Sequence, residues 1–134
     1  MGKPANKPPR RNLILVELDT VILKAPTWSR NLTARVLEAF VDRGYEVVGF
    51  TDRQPSQDGF VRQHLLELGI PLSAVLMRGT LDRREYLEIK QEVVEMYCQQ
   101  LAILVDNDLD FCRSVLHRGF STLQTLGAEG GVDG

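Results

Sequence analysis

Cysteine is scarce in this 134-residue chain: Cys98 and Cys112 are the only two, too few and too unevenly placed for a disulfide framework or a zinc site. Apolar runs are short as well. None approaches the roughly 20 residues that cross a bilayer, so no membrane partner is expected. The first eleven residues contain no apolar stretch and do not read as a secretory signal. A reducing, cytoplasmic setting is the simplest expectation from these absences. Acidic residues are missing from the same eleven positions, where Lys3, Lys7, Arg10 and Arg11 give four positive charges. No P-loop sequence occurs, so these residues carry no phosphate-cradling loop of that type.

What is present is ordinary for a globular domain, with 43% hydrophobic and 25% charged residues and a length suited to one core. The net charge is −2, which leaves about −6 for everything after the basic segment. That balance argues against a broadly basic surface that coats nucleic acid, though a local basic pocket fits within it. Pro4, Pro8 and Pro9 mark residues 1–11 as an expected flexible tail, either solubilising or an arm for a polyanion. Residues 127–134 are Gly-rich and expected to fray, which leaves 12–126 as the folded domain.

Short apolar runs alternate with helical patterns across that span. Leu13 to Val16 is continuous and apolar, as a strand covered on both faces should be. Leu32 to Val41 carries apolar residues at helical spacing, with Gly44 placed as a C-cap. Strands are expected at 46–50, 74–77, 101–105 and 121–126, and helices at 60–68, 83–98 and 109–118. Gly69 and Gly119 close two of those helices. Five strands alternating with four helices predict an α/β, doubly wound, three-layer sandwich with a five-stranded parallel sheet. Ligands of such sheets bind at the carboxyl ends of the strands.

Four of the expected strands end in groups that carry chemistry. The first runs into Glu17 and Asp19, the second into Thr51, Asp52 and Arg53, the third into Arg78, and the fourth into Asp106, Asn107, Asp108 and Asp110. Strand alternation puts Glu17 and Asp19 on one side of the chain. Carboxylates from two strands could share Mg²⁺, a hard cation that takes oxygen ligands and keeps waters. Asp108 also suits the N-cap of the last helix, and Lys90 lies on the helix before the fourth strand.

This ordered set resembles the haloacid-dehalogenase (HAD) superfamily of phosphohydrolases. Within it, the run Arg78-x-x-x-Asp82-x-Arg84-x-x-x-x-x-Lys90, together with Thr51-Asp52-Arg53, is similar to the phosphatase domain of bacteriophage polynucleotide kinase-phosphatases. The likeness spans roughly 13–125 and implies an HAD-like fold without a cap. It also implies a Mg²⁺-dependent phosphatase that removes a terminal phosphate from nucleic acid through an acyl-phosphate. Glu17 takes the place of nucleophile and metal ligand, and Asp19 that of general acid/base, with Glu17, Asp19 and Asp106 as the metal set. Thr51, Arg53 and Lys90 would hold the phosphate, and Arg78 and Arg84 the substrate side. Asp82 would orient an arginine through a forked ion pair; the other reading of Arg78, Asp82 and Arg84 is a surface ion-pair cluster.

The family has Asp where this chain has Glu17, and its Gly-Thr after the second Asp is Thr20-Val21 here. One extra methylene moves the attacking oxygen by on the order of 1 Å, enough to cost about 10²-fold in rate. The alternative is therefore a catalytically impaired domain that binds a ligand or partner at the same rim. An open site suits a large substrate such as a nucleic-acid end. Trp28 either stacks on a base there or covers the core. A phosphoacceptor receiver domain would need Asp after the third strand, where Met77-Arg78 stands.

Overall fold

The computed structural model describes residues 11–125; residues 1–10 and 126–134, which hold nearly all of the two expected tails, lie outside the described residues. The strands are β1 (Leu13–Glu17), β2 (Glu46–Thr51), β3 (Ala74–Met77), β4 (Leu101–Asp106) and β5 (Ser121–Gln124). The helices are α1 (Thr27–Asp42), α2 (Asp58–Leu68), α3 (Tyr86–Met96) and α4 (Leu109–His117). All strand pairings are parallel, in the order β3-β2-β1-β4-β5. The expected α/β sheet of five parallel strands is thus observed, as a Rossmann-like sandwich.

The central position of β1 explains its composition. All five of its residues are buried, and each fully buried aliphatic side chain contributes roughly 1.5–3 kcal/mol. Leu13 and Leu15 face a core shared with Ile89, Val93 and Val94 of α3 and Phe111, Cys112 and Val115 of α4. Ile14 and Val16 face the opposite core, with Ala34 and Leu37 of α1 and Val61 and Leu65 of α2. Gly44, Gly69 and Gly119 follow their helices at φ +96°, +70° and +98°, left-handed positions that glycine takes without a Cβ penalty.

One further glycine positions the site. A Cβ on Gly49 in β2 would meet the Leu18 side chain at 2.7 Å. Leu18 is fully buried and lies between Glu17, which ends β1, and Asp19, which opens the next turn. The missing side chain in β2 is thus what lets the chain turn here.

Helix α3 starts at Tyr86 and not at Arg83 as expected. Arg78 Nη1 donates to the carbonyls of Asp82 (3.0 Å) and Arg84 (2.7 Å), and Asp82 Oδ1 accepts from the Arg84 amide at 3.0 Å. These bonds hold residues 82–84 in a loop and take up groups a helix start would use.

Candidate active site

Strand β1 stops at Glu17, and a single π-helical turn, Asp19–Leu23, follows. Glu17 and Asp19 therefore share a cavity because the backbone turns at Leu18 (φ −81°, ψ −32°), and not by strand alternation as expected. The cavity measures about 590 Å³ and is lined by Glu17, Asp19, Arg53, Tyr86, Lys90, Asp106 and Asp108, among others. It lies at the carboxyl ends of β1, β2 and β4, where the topology places it.

Glu17 is 1% exposed. Its Oε1 accepts from the Thr20 amide (2.9 Å) and hydroxyl (2.6 Å). Its Oε2 accepts from the Asp19 amide (3.2 Å) and the Tyr86 hydroxyl (2.6 Å). A carboxylate offers about four acceptor positions, and here all are taken. Burial pushes the Glu17 carboxyl above its usual range, against the pull of its Thr20 and Tyr86 hydrogen bonds. Burial likewise pushes the Tyr86 phenol upward, with the Glu17 charge adding to the effect.

Asp19 accepts from Thr51 Oγ1 (2.9 Å) and the Asp52 amide (3.1 Å) on Oδ2, and from Arg53 Nε (2.9 Å) on Oδ1. Asp106 pairs with Lys90, Nζ to Oδ2 at 2.9 Å, and accepts the Asp108 amide at 3.0 Å. The Lys90 ammonium also lies 4.5 Å from the Phe111 ring centroid and 5.2 Å from that of Tyr86. Such ring faces attract a cation. Burial raises the Asp106 carboxyl even against the Lys90 charge.

Of the residues singled out in the sequence, the fold brings Glu17, Asp19, Arg53, Lys90 and Asp106 to one cavity. Thr51 sits behind it, buried, with its hydroxyl donated to Asp19. Arg78 and Arg84 lie apart. Arg78 bonds Asp52 at 2.6 Å, and Arg84 forks onto Asp82 at 3.0 and 2.7 Å and reaches Glu92 at 2.7 Å, forming an ion-pair cluster around the start of α3. Arg84 holds the Asp82 carboxyl down at about 2. Asp110 is exposed in the first turn of α4, while Asp108 caps that helix by accepting from the Phe111 amide at 3.2 Å. Asn107 lines the cavity and donates to the Thr125 carbonyl at 2.9 Å. Trp28 is 67% exposed and faces an apolar groove with Leu32, Val36 and Leu123, away from the cavity.

The sequence reading missed Lys24, Gln54, Ser56, Gln57 and Tyr86 among the cavity residues, and of these Tyr86 bonds Glu17 directly. Tyr86 lies four residues before Lys90, one helical turn away and on the same face, so the spacing from Lys90 was the available signal.

A Mg²⁺ ion fits part of this donor set. Asp106 keeps two acceptor positions and Asp19 one, whereas Glu17 keeps none. Among the described residues no group of three or more His, Cys, Asp or Glu side chains could hold a metal ion. Asp106 and Asp19 would hold Mg²⁺ only with water and phosphate completing its shell, which is a common Mg²⁺ arrangement. The charge balance favours such a cation: five carboxylates line the cavity against Lys24, Arg53 and Lys90, and Arg78 outside it pairs with Asp52, which leaves a formal −1.

The fold and site define an α/β sandwich with a polar pocket at the strand ends. No family model matches the chain, and no curated protein matches it. Among solved structures, it is similar to a chain of the Pnkp1/Rnl/Hen1 complex, with TM-score 0.69 and 20% identity over 87% of this chain and 46% of that one. A chain of the Pnkp1/Rnl/Hen1 RNA repair complex gives TM-score 0.67 and 18% identity over 92% of this chain and 47% of that one. An uncharacterized protein from Corynebacterium glutamicum ATCC 13032 Kitasato gives TM-score 0.58 and 17% identity over 86% and 85%. The chain spans less than half the length of the first two neighbours. At these identities the likeness concerns the fold, and at that level it accords with the resemblance drawn from the sequence.

Proposed function

We propose that this chain is an HAD-like, phosphatase-type domain that binds a terminal phosphate of nucleic acid together with Mg²⁺ and does not hydrolyse it. The observation that carries this reading is the saturation of Glu17. An attacking carboxylate needs a free lone pair aimed at phosphorus, and the four donors on Glu17 leave none. Lys90, Arg53 and Lys24 supply positive charge toward a phosphate. Mg²⁺ at Asp106 and Asp19 would neutralise the charge that five carboxylates otherwise set against an anion. The RNA repair neighbours support nucleic acid as the ligand class.

The second reading is a Mg²⁺-dependent phosphatase that turns over through an acyl-phosphate on Glu17. It is favoured by the convergence of Glu17, Asp19, Lys90 and Asp106 on one cavity. Calorimetric binding and phosphate release with a 3′-phosphorylated oligonucleotide, with and without Mg²⁺, separate the two. Binding that requires Mg²⁺, without release, is expected. Release by the native chain that falls sharply in Asp19→Asn would replace the first reading with the second. Hydrolysis gained in Glu17→Asp would locate the defect at that one side chain.

A further inference from the structure

The loop after β2 contributes Arg53, Gln54, Ser56 and Gln57 to the cavity wall. Arg53 is held at three points. Its Nε bonds Asp19 at 2.9 Å, its Nη1 bonds Gln57 at 2.6 Å, and its guanidinium carbon lies 4.9 Å from the centroid of the Phe60 ring. Phe60 stands on the first turns of α2 and is 47% exposed. The His64 ring, one helical turn on, lies 4.3 Å from it at 48°, and His64 Nδ1 is 2.9 Å from the Phe60 carbonyl oxygen. Arg53, which lines the cavity, and His64 thus both lie against the Phe60 ring, which stands just outside that lining.

A single exposed apolar side chain ordinarily needs no explanation. Phe60 differs in being fixed by a guanidinium that is itself tied to the cavity floor. Trp28 is more exposed, yet its groove shares no lining residue with the cavity.

We infer that Phe60, steadied by Arg53 and His64, is a stacking platform for the nucleobase next to the bound phosphate. This rests on the reading of the cavity as a phosphate site. Every base presents a π-face, so such a platform adds affinity for single-stranded ends without selecting sequence. It gives the domain a preference for nucleic acid over small phosphate esters.

The test compares three ligands in Mg²⁺: a 3′-phosphorylated oligonucleotide, the same oligonucleotide with an abasic terminal residue, and inorganic phosphate. Phe60→Ala and Phe60→Leu are expected to weaken only the base-bearing ligand, by roughly 5- to 150-fold. Phe60→Trp is expected to retain its binding. Leucine keeps apolar support under Arg53 and removes the π-face, so it separates stacking from packing. Equal weakening of all three ligands in Phe60→Leu, or no weakening of any, overturns the platform while leaving the phosphate site standing. Failure of the native chain to bind any of the three overturns the phosphate site and the platform with it.

Discussion

The Tyr86 hydroxyl donates to Oε2 of Glu17 across 2.6 Å, joining residues 69 positions apart in the chain. Aspartate at position 17 would be one methylene shorter. The longer side chain and the phenol together fill the acceptor positions that an attacking carboxylate would need open.

Tyr86→Phe leaves Oε2 with one donor, the Asp19 amide at 3.2 Å. A buried acceptor deprived of its partner costs about 1–3 kcal/mol. Urea denaturation should show a loss of that size, and a smaller one when Glu17→Gln is already present. An equal loss in both backgrounds would mean that the phenol acts through packing alone.

Lys90 and Asp106 are 6% and 1% exposed in their side chains. Removing one member of a buried ion pair leaves an uncompensated charge and costs roughly 3–5 kcal/mol. Lys90→Met should lower stability by that amount, and adding Asp106→Asn should return part of it. Wild-type stability in Lys90→Met would show that the charge of Asp106 is met elsewhere.

Glu17 and Asp106 have carboxyls raised by burial, so the folded chain gives up those protons at higher pH than the unfolded chain does. Their contribution to stability is full below the ordinary carboxylate values of 4.5 and 3.8. It is lost as pH rises through the raised folded values. Asp82 works in the opposite sense: its contribution is present above 3.8 and is lost as pH falls through about 2. Melting temperature should therefore decline from mildly acid pH upward, with a shallower slope in Glu17→Gln. A melting temperature that climbs steadily through that range would contradict the assignment.

Gly49→Ala would bring a Cβ within 2.7–2.9 Å of three Leu18 side-chain atoms. Leu18 is fully buried, so its side chain can move only by displacing packed neighbours, and a cost of about 1–3 kcal/mol is expected. The strain falls on the turn that carries Glu17 and Asp19, and Leu18→Ala in the same chain should relieve it. Thermal melts of the single and double variants measure both effects.

Much of this was legible in the chain. The continuous apolar runs gave β1 and β2 because both strands are covered on two sides, and a positive-φ glycine follows α1, α2 and α4. The start of α1 at Thr27 was less visible because its first turn turns only Ser29 inward; the signal lay in Pro26, whose carbonyl accepts from the Ser29 and Arg30 amides, both at 3.0 Å. In the site, residue types at the strand ends pointed to Asp19 and Asp106, and the family resemblance added Lys90; the fold brings all three to one cavity. Hydrogen-bond direction was not legible. Whether Thr51 offers its proton outward or to Asp19, and whether Glu17 is open or capped, depends on partners that only the fold brings near.

Asp52 faces two ways, with its amide on Asp19 and its carboxylate on Arg78, which in turn grips the carbonyls of Asp82 and Arg84. Leu81, at the tip of that loop, is 85% exposed. The relay makes the loop a natural place for a reporter. A dye attached at position 81 would sense what happens to Asp19 through a chain of bonds while standing clear of the cavity. Ligand entry could then be followed optically, whether or not any product is released.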